Sequence, residues 1–177
     1  CYPERRVDRS SKILILGANG MVGDAIRRVL LDQAYANVIT AARADADLTD
    51  AAATQALFAL AQPEYVILAA ARVGGIHAND TYSGEFLYEN LAISLNVTHA
   101  AWKHDVRRYL NLGSSCIYPR EASQPMNENA LMTGPLEPTN EAYAVAKIAA
   151  LKLCSHYRKQ YDVIFHSAMP TNLYGQG

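Results

Sequence analysis

The order of apolar segments predicts an α/β protein: a doubly wound parallel sheet with helices on both faces. Short apolar runs alternate with segments of helical period along the chain, the order that builds βαβ units. The runs are continuous rather than alternating in polarity, as strands buried on both faces require. A glycine-rich turn separates the first run from the first helical segment, and sheets of this kind bind ligands outside the carboxyl ends of their strands.

The elements follow in order. Lys12–Leu16, "KILIL", is the first strand. From Gly20 the apolar residues Val22, Ala25, Ile26, Val29 and Leu30 recur at helical spacing. Residues 37–42 read as a second strand, and 50–61 as an Ala- and Leu-rich helix with Pro63 beyond its end. Residues 65–69 are a third strand, and 72–85 a glycine-containing loop. A long helix is expected over 86–104, with Leu87, Leu91 and Leu95 on one stripe. A fourth strand covers Arg108–Leu112. A Pro/Gly/Asn-rich loop, a helix over 141–160 and a strand over 163–168 complete the pattern. Residues 1–11 are a polar N-terminal extension, and residues 12–177 form one domain.

Composition excludes several classes. Half the residues are hydrophobic and the net charge is −1, so no basic excess marks a nucleic-acid binder. No apolar run reaches the roughly 20 residues of a transmembrane helix. The apolar run at 13–16 is too short for a signal-peptide core. Cysteines 1, 116 and 154 are odd in number and lack metal-ligand spacing. They read as free thiols in a reducing cytoplasm, with no metal site.

Gly17-Ala18-Asn19-Gly20-Met21-Val22-Gly23 is a G-x-x-G-x-x-G run between strand and helix. Gly17 allows the tight turn, Gly20 lets the backbone approach a pyrophosphate at the helix N-terminus, and Gly23 lets helix and strand pack closely. In this setting the run predicts dinucleotide binding and a Rossmann-type fold. The end of the second strand selects the cofactor. An acidic residue there binds a ribose 2′-hydroxyl, and an Arg accommodates a 2′-phosphate. Ala41-Ala42-Arg43 favours the phosphate, hence NADP over NAD. Asp45 and Asp47 offer carboxylates to the adenosine, and Asp47-Leu48 is placed against the adenine.

Tyr143 and Lys147 form a Y-x-x-x-K on a helical segment, which puts phenol and ammonium on one face. A nearby ammonium lowers a phenol's pKa from its usual value of about 10. In "GSSCIYP", residues 113–119, an extended chain would alternate faces. Ser114 and Cys116 would point to one side and Ser115 to the other. Ser114 is then placed to hydrogen-bond a ketone oxygen. Cys116 reads equally as a small buried hydrophobe or as an acid–base thiol.

At "GANGMVG", "LAAARVGGI", "LGSSCIYP", "PLEPTNEAYAVAKIA" and "MPTNLYG" the chain resembles the GDP-L-fucose synthases. They are epimerase/reductases within the extended short-chain dehydrogenase/reductases. The similarity runs from about Lys12 to the end. It implies conversion of GDP-4-keto-6-deoxy-D-mannose to GDP-L-fucose by epimerisation at C3 and C5 and hydride transfer from NADPH to C4. Ser114, Tyr143 and Lys147 become the reductase triad, and Cys116 an acid–base residue of the epimerisation. Gly17, Gly20 and Gly23 hold the pyrophosphate, with Asn19, Met21, Val22 and Ala70 among the cofactor contacts. Arg43 serves the 2′-phosphate. Pro170, Asn172 and Leu173 lie against the nicotinamide end. A GDP-sugar substrate and a homodimer packed through the two long helices are also implied.

The chain departs from that pattern at three places: Asn19 where an Arg is frequent, Arg72 where a Lys is familiar, and Ala142 where a Pro precedes the Tyr. A catalytic His partner of Cys116 and the substrate domain are expected beyond Gly177. His156, on a helix, and His166, in a strand, are expected to be packed or solvated instead. The expectation is an incomplete form with impaired catalysis. The rival readings are another NAD(P)-dependent nucleotide-sugar epimerase or dehydratase, and a non-catalytic cofactor-binding module.

Overall fold

The computed structural model describes residues 7–175. Cys1, most of the N-terminal extension and Gly177 lie outside them. The elements are β1 (Lys12–Leu16), α1 (Met21–Asp32), β2 (Asn37–Ala41), α2 (Ala51–Ala61), β3 (Tyr65–Leu68), α3 (Ile76–Thr81), α4 (Ser83–Lys103), β4 (Arg108–Leu112), α5 (Glu141–Tyr161) and β5 (Ile164–Ala168). Their order matches the expected alternation. One difference is α3, which lies inside the stretch expected to be a loop. Gly75 begins it in an extended conformation. The Asn79 amide then donates back to the carbonyls of Gly74 and Gly75, at 2.9 and 3.2 Å.

All four strand pairings are parallel, in the order β2-β1-β3-β4-β5. From β1 the chain winds outward to β2, then returns across β1 to β3 and proceeds the other way. The strand order therefore reverses between β1 and β3, and a crevice opens above their carboxyl ends.

The core follows from strand alternation. Leu14, Leu16, Val66, Leu68, Tyr109 and Phe165 face one way and pack against Phe58 of α2, Val97, Ala100 and Ala101 of α4, and Cys154 of α5. Ile13 and Ile15 face the other way, against Ile26 and Leu30 of α1. Helices thus cover both faces, and among the described residues α1 is the helix packed on the second. The Leu87, Leu91 and Leu95 stripe of α4 is not its buried face. That face is Phe86, Asn90, Ser94, Val97, Thr98, Ala100 and Ala101, while Tyr88 and Leu95 are exposed.

Two asparagines in or beside this core have unpartnered amide oxygens among the described residues, Asn79 and Asn111. Cys116 and Cys154 are free thiols, as expected of them. Among the described residues no helix is long and apolar enough to cross a membrane.

Candidate functional site

The crevice between β1 and β3 holds a cavity of about 610 Å³. Its floor is the glycine turn, and each glycine has its own steric reason. Gly17 has φ +92° and presses on the third strand's exit: a Cβ there would lie 2.5 Å from the Ala70 nitrogen. At Gly23 a Cβ would lie 2.1 Å from the Gly17 oxygen. Neither position accepts a side chain. Gly20 differs, since its nearest neighbour would be 3.5 Å away, an ordinary contact. The space above Gly20 is therefore open to a ligand. Gly20 also starts α1 without a side-chain cap, which leaves first-turn N–H groups for an anion. Asn19, Met21 and Val22 line the same floor.

A second wall comes from the segment after β2. Arg43, Asp47 and Leu48 line the cavity, as do Ala46 and Thr49. The Arg43 guanidinium is exposed and stands 3.8 Å from an Asp47 carboxylate oxygen. The other Asp47 oxygen accepts from the Thr49 hydroxyl and amide, at 2.7 and 2.9 Å. Those hydrogen bonds, and then the Arg43 charge, hold the Asp47 carboxyl below the usual carboxylate range. Asp45 accepts from the Ala42 amide at 2.7 Å, which shapes the turn that carries Arg43, and it lies outside the cavity lining.

The third wall is residues 69–73 beyond β3, including Ala70, opposed by Glu89 and Ile93 of α4. Arg72 is gripped from α4. Its guanidinium pairs with Glu85 at 2.7 Å and with Glu89, and lies over the Phe86 ring. The Asn90 amide accepts from the Arg72 N–H at 2.9 Å and donates to the Arg72 carbonyl at 3.0 Å. Arg72 stands out in the sequence only as a departure from the family pattern, and no local signal marks Glu89, Asn90 or Ile93.

Ser114, Cys116, Tyr143 and Lys147 gather beside this cavity's strand ends rather than in its lining. The first two leave β4 and the last two sit on the first turns of α5, which packs on the Cys116 turn. The expected alternation at "GSSCIYP" does not occur. Ser114 is extended, but Ser115–Ile117 is a 3-10 turn. The reason is local: the Ser114 hydroxyl accepts from the Cys116 N–H at 3.4 Å, a side-chain cap that competes with extended pairing. The Ser115 N–H donates to the Pro170 carbonyl at 3.1 Å, which ties this turn to the segment after β5. Asn172 and Leu173 lie exposed on that segment, and with Pro170 they are outside the cavity lining.

Lys147 is buried, with Nζ 5.6 Å from the Tyr143 ring centre. The expected lowering of the phenol's pKa is reversed. Burial, then the neighbouring Cys116, pushes Tyr143 up to about 12. Burial pulls Lys147 down to about 8, against a smaller opposing pull from Cys116. Desolvation penalises the charged form of each and is the largest cause of both shifts. Tyr143 is thus held protonated at neutral pH, the form that donates. Neither His156 nor His166 joins this group; both are exposed.

Comparison with known proteins adds an independent line. A family model described as the NAD dependent epimerase/dehydratase family matches residues 13–177. GDP-L-fucose synthase 1 of Arabidopsis thaliana is 52% identical over 168 residues, covering 95% of this chain and 52% of its own. GDP-L-fucose synthase of Escherichia coli (strain K12) is 50% identical over 164 residues, 93% of this chain and 51% of its own. Among solved structures, DdhaC superposes with a TM-score of 0.94 at 45% identity, over 96% of this chain and 49% of its own. A GDP-L-fucose synthetase from Naegleria fowleri bound to NADP does so with a TM-score of 0.89 at 28% identity, over 97% and 56%. The chain spans about half the length of the curated relatives it matches.

Proposed function

The chain belongs to the NAD dependent epimerase/dehydratase family, and from that premise we propose that it is the NADP-binding part of a GDP-L-fucose-synthase-type epimerase/reductase acting on a GDP-4-keto-6-deoxy sugar. One observation carries the reading. The cavity at the β1/β3 reversal, built from the glycine turn and the Arg43 wall, adjoins strand ends where Tyr143, Lys147, Ser114 and Cys116 converge.

The residues fit the cofactor. Gly17 and Gly23 cannot bear a Cβ, while the space over Gly20 is open. Arg43 offers an exposed cation to a 2′-phosphate. When bound, NADPH supplies the hydride for C4. Tyr143, protonated, donates a proton to the C4 oxygen. Ser114 is assigned a hydrogen bond to the same oxygen, a reading supported by its hydroxyl hydrogen staying free to donate while its oxygen accepts from the Cys116 N–H. The ketone acidifies the C3 and C5 protons, and its oxygen, bonded to these donors, holds the enolate charge. Cys116 moves a proton at those carbons. Pro170, Asn172 and Leu173 are assigned to the nicotinamide end, with the Pro170 carbonyl anchoring Ser115. Exposed Tyr88 and Leu95 on α4 and Val145 on α5 support a homodimer through these helices. Charge, cysteine usage and the lack of a membrane-crossing helix among the described residues support a cytoplasmic location.

Titration with NADPH and with NADH, followed by absorbance at 340 nm after adding GDP-4-keto-6-deoxy-D-mannose, tests the reading. NADPH binding tighter than NADH is expected. In the intact enzyme, Cys116→Ser is expected to lose solvent deuterium incorporation at C3 or C5 while keeping its NADPH affinity. Absence of incorporation already in the parent favours a plain reductase or a 4-epimerase, and equal incorporation in parent and variant removes Cys116 from the proton transfer.

A further inference from the structure

Two walls of the cavity face each other, the 47–49 segment and α4, and Asn96 of α4 is hydrogen-bonded across to that segment. Its Nδ2 donates to the Leu48 carbonyl and to the Thr49 carbonyl, both at 3.0 Å. The partners are 48 and 47 residues away in sequence. The other hydrogen bonds of this segment are local, and Leu48 also packs against the core. The Asp47 carboxylate accepts from Thr49, the Asp50 amide donates to the Asp47 carbonyl, and the Thr54 hydroxyl contacts the Leu48 carbonyl at 3.4 Å. Those bonds shape the turn, but they travel with it and with α2. The bonds from Asn96 tie it directly to α4, beside the packing of α2 on α4, and α4 itself lines the cavity through Glu89 and Ile93.

We propose that Asn96 is a positioning residue: it acts as a strut that holds Asp47, Leu48 and Thr49 at the spacing an adenosine 2′-phosphate end requires. The inference rests on the reading of this cavity as a dinucleotide site. Asn96 reaches the ligand only through the backbone it holds, and it is absent from the cavity lining.

The test uses the 177-residue chain. Asn96→Asp keeps shape but turns a double donor into an acceptor facing two carbonyls. NADPH affinity by fluorescence titration, and 2′,5′-ADP affinity by competition, are expected to fall together by roughly tenfold, the scale of one charged clash or one to two hydrogen bonds. Circular dichroism and melting follow the fold in parallel. A merely structural role lowers the melting temperature and leaves both affinities of the folded protein unchanged, and that result overturns the proposal. If Asn96→Asp does not fold, Asn96→Ser, with one shorter donor, answers the question: a loss of about threefold supports the strut, and unchanged affinity overturns it. A parent chain that binds neither NADPH nor 2′,5′-ADP refutes the dinucleotide reading itself, a result distinct from a parent that binds and a variant that binds equally well.

Discussion

The Lys147 ammonium donates a hydrogen bond of 2.8 Å to the carbonyl oxygen of Leu112, the last residue of β4. An interior cation thus ties the helix that bears Tyr143 to the strand that leads into Ser114 and Cys116. The bond only partly offsets the cost of burial, since Lys147 is held at about 8, down from 10.5.

This shift makes stability depend on pH. Below pH 8 the lysine is charged in both folded and unfolded chains, and the full burial cost, about 3 kcal/mol for such a shift, weighs on the fold. Between about 8 and 10.5 the unfolded chain binds more protons, so stability rises with pH. In Lys147→Met this rise is absent. Urea denaturation at pH 7 and pH 9 is expected to show the parent gaining on the order of 1 kcal/mol relative to the variant. A difference that stays flat with pH contradicts the burial cost.

The three glycines of the turn separate into two classes. Gly23→Ala puts a methyl group 2.1 Å from a backbone oxygen, and the expected cost is about 2 kcal/mol or more through overpacking. Gly20→Ala meets only an ordinary contact and is expected to leave melting nearly unchanged while weakening NADPH binding. Thermal melts beside NADPH titrations separate the two. Equal losses of stability in both variants argue against a ligand role for Gly20.

Asn90 pairs backbone beyond the end of β3. Its amide satisfies both backbone groups of Arg72 and also donates to the Phe86 carbonyl at 2.8 Å. Asn90→Ala leaves the Arg72 N–H and C=O unpartnered and is expected to destabilise the fold by about 1–3 kcal/mol, read from denaturant midpoints. Asn90→Leu, equal in bulk, is expected to recover little, because the loss is of hydrogen bonds rather than volume.

The exposed apolar residues of α4 carry the prediction about assembly. Leu95→Glu combined with Tyr88→Glu places charges on the face assigned to the homodimer. Sedimentation velocity is expected to show a dimer for the parent and a monomer for the variant. A parent that sediments as a monomer at all concentrations removes the homodimer.

Much of this site could be read along the chain, for a local reason. The glycine spacing encodes steric limits that the structure places at Gly17 and Gly23, and the strand-turn-helix setting follows from periodicity. Tyr143 and Lys147 share a helix face because four residues make one turn. The extended reading of Ser114 to Cys116 failed for another local reason, a hydroxyl that captures an amide two residues on. Asn90 and Asn96 were illegible because their partners lie 18 to 48 residues away. An isolated asparagine in a helix carries no mark of such a partner.

By itself the sequence determined the alternation of strands and helices, the glycine turn and the identity of the polar residues at the strand ends. These depend on neighbours within a turn or a pleat. Only the tertiary structure decided that the strand order reverses between β1 and β3, that the Leu87, Leu91 and Leu95 stripe of α4 is not its buried face, and that Tyr143 is pushed up rather than down. Strand order is a matter of which distant segments pair, and burial is a property of everything packed around a group. The desolvation that sets the Tyr143 and Lys147 protons therefore exists only once the chain has folded.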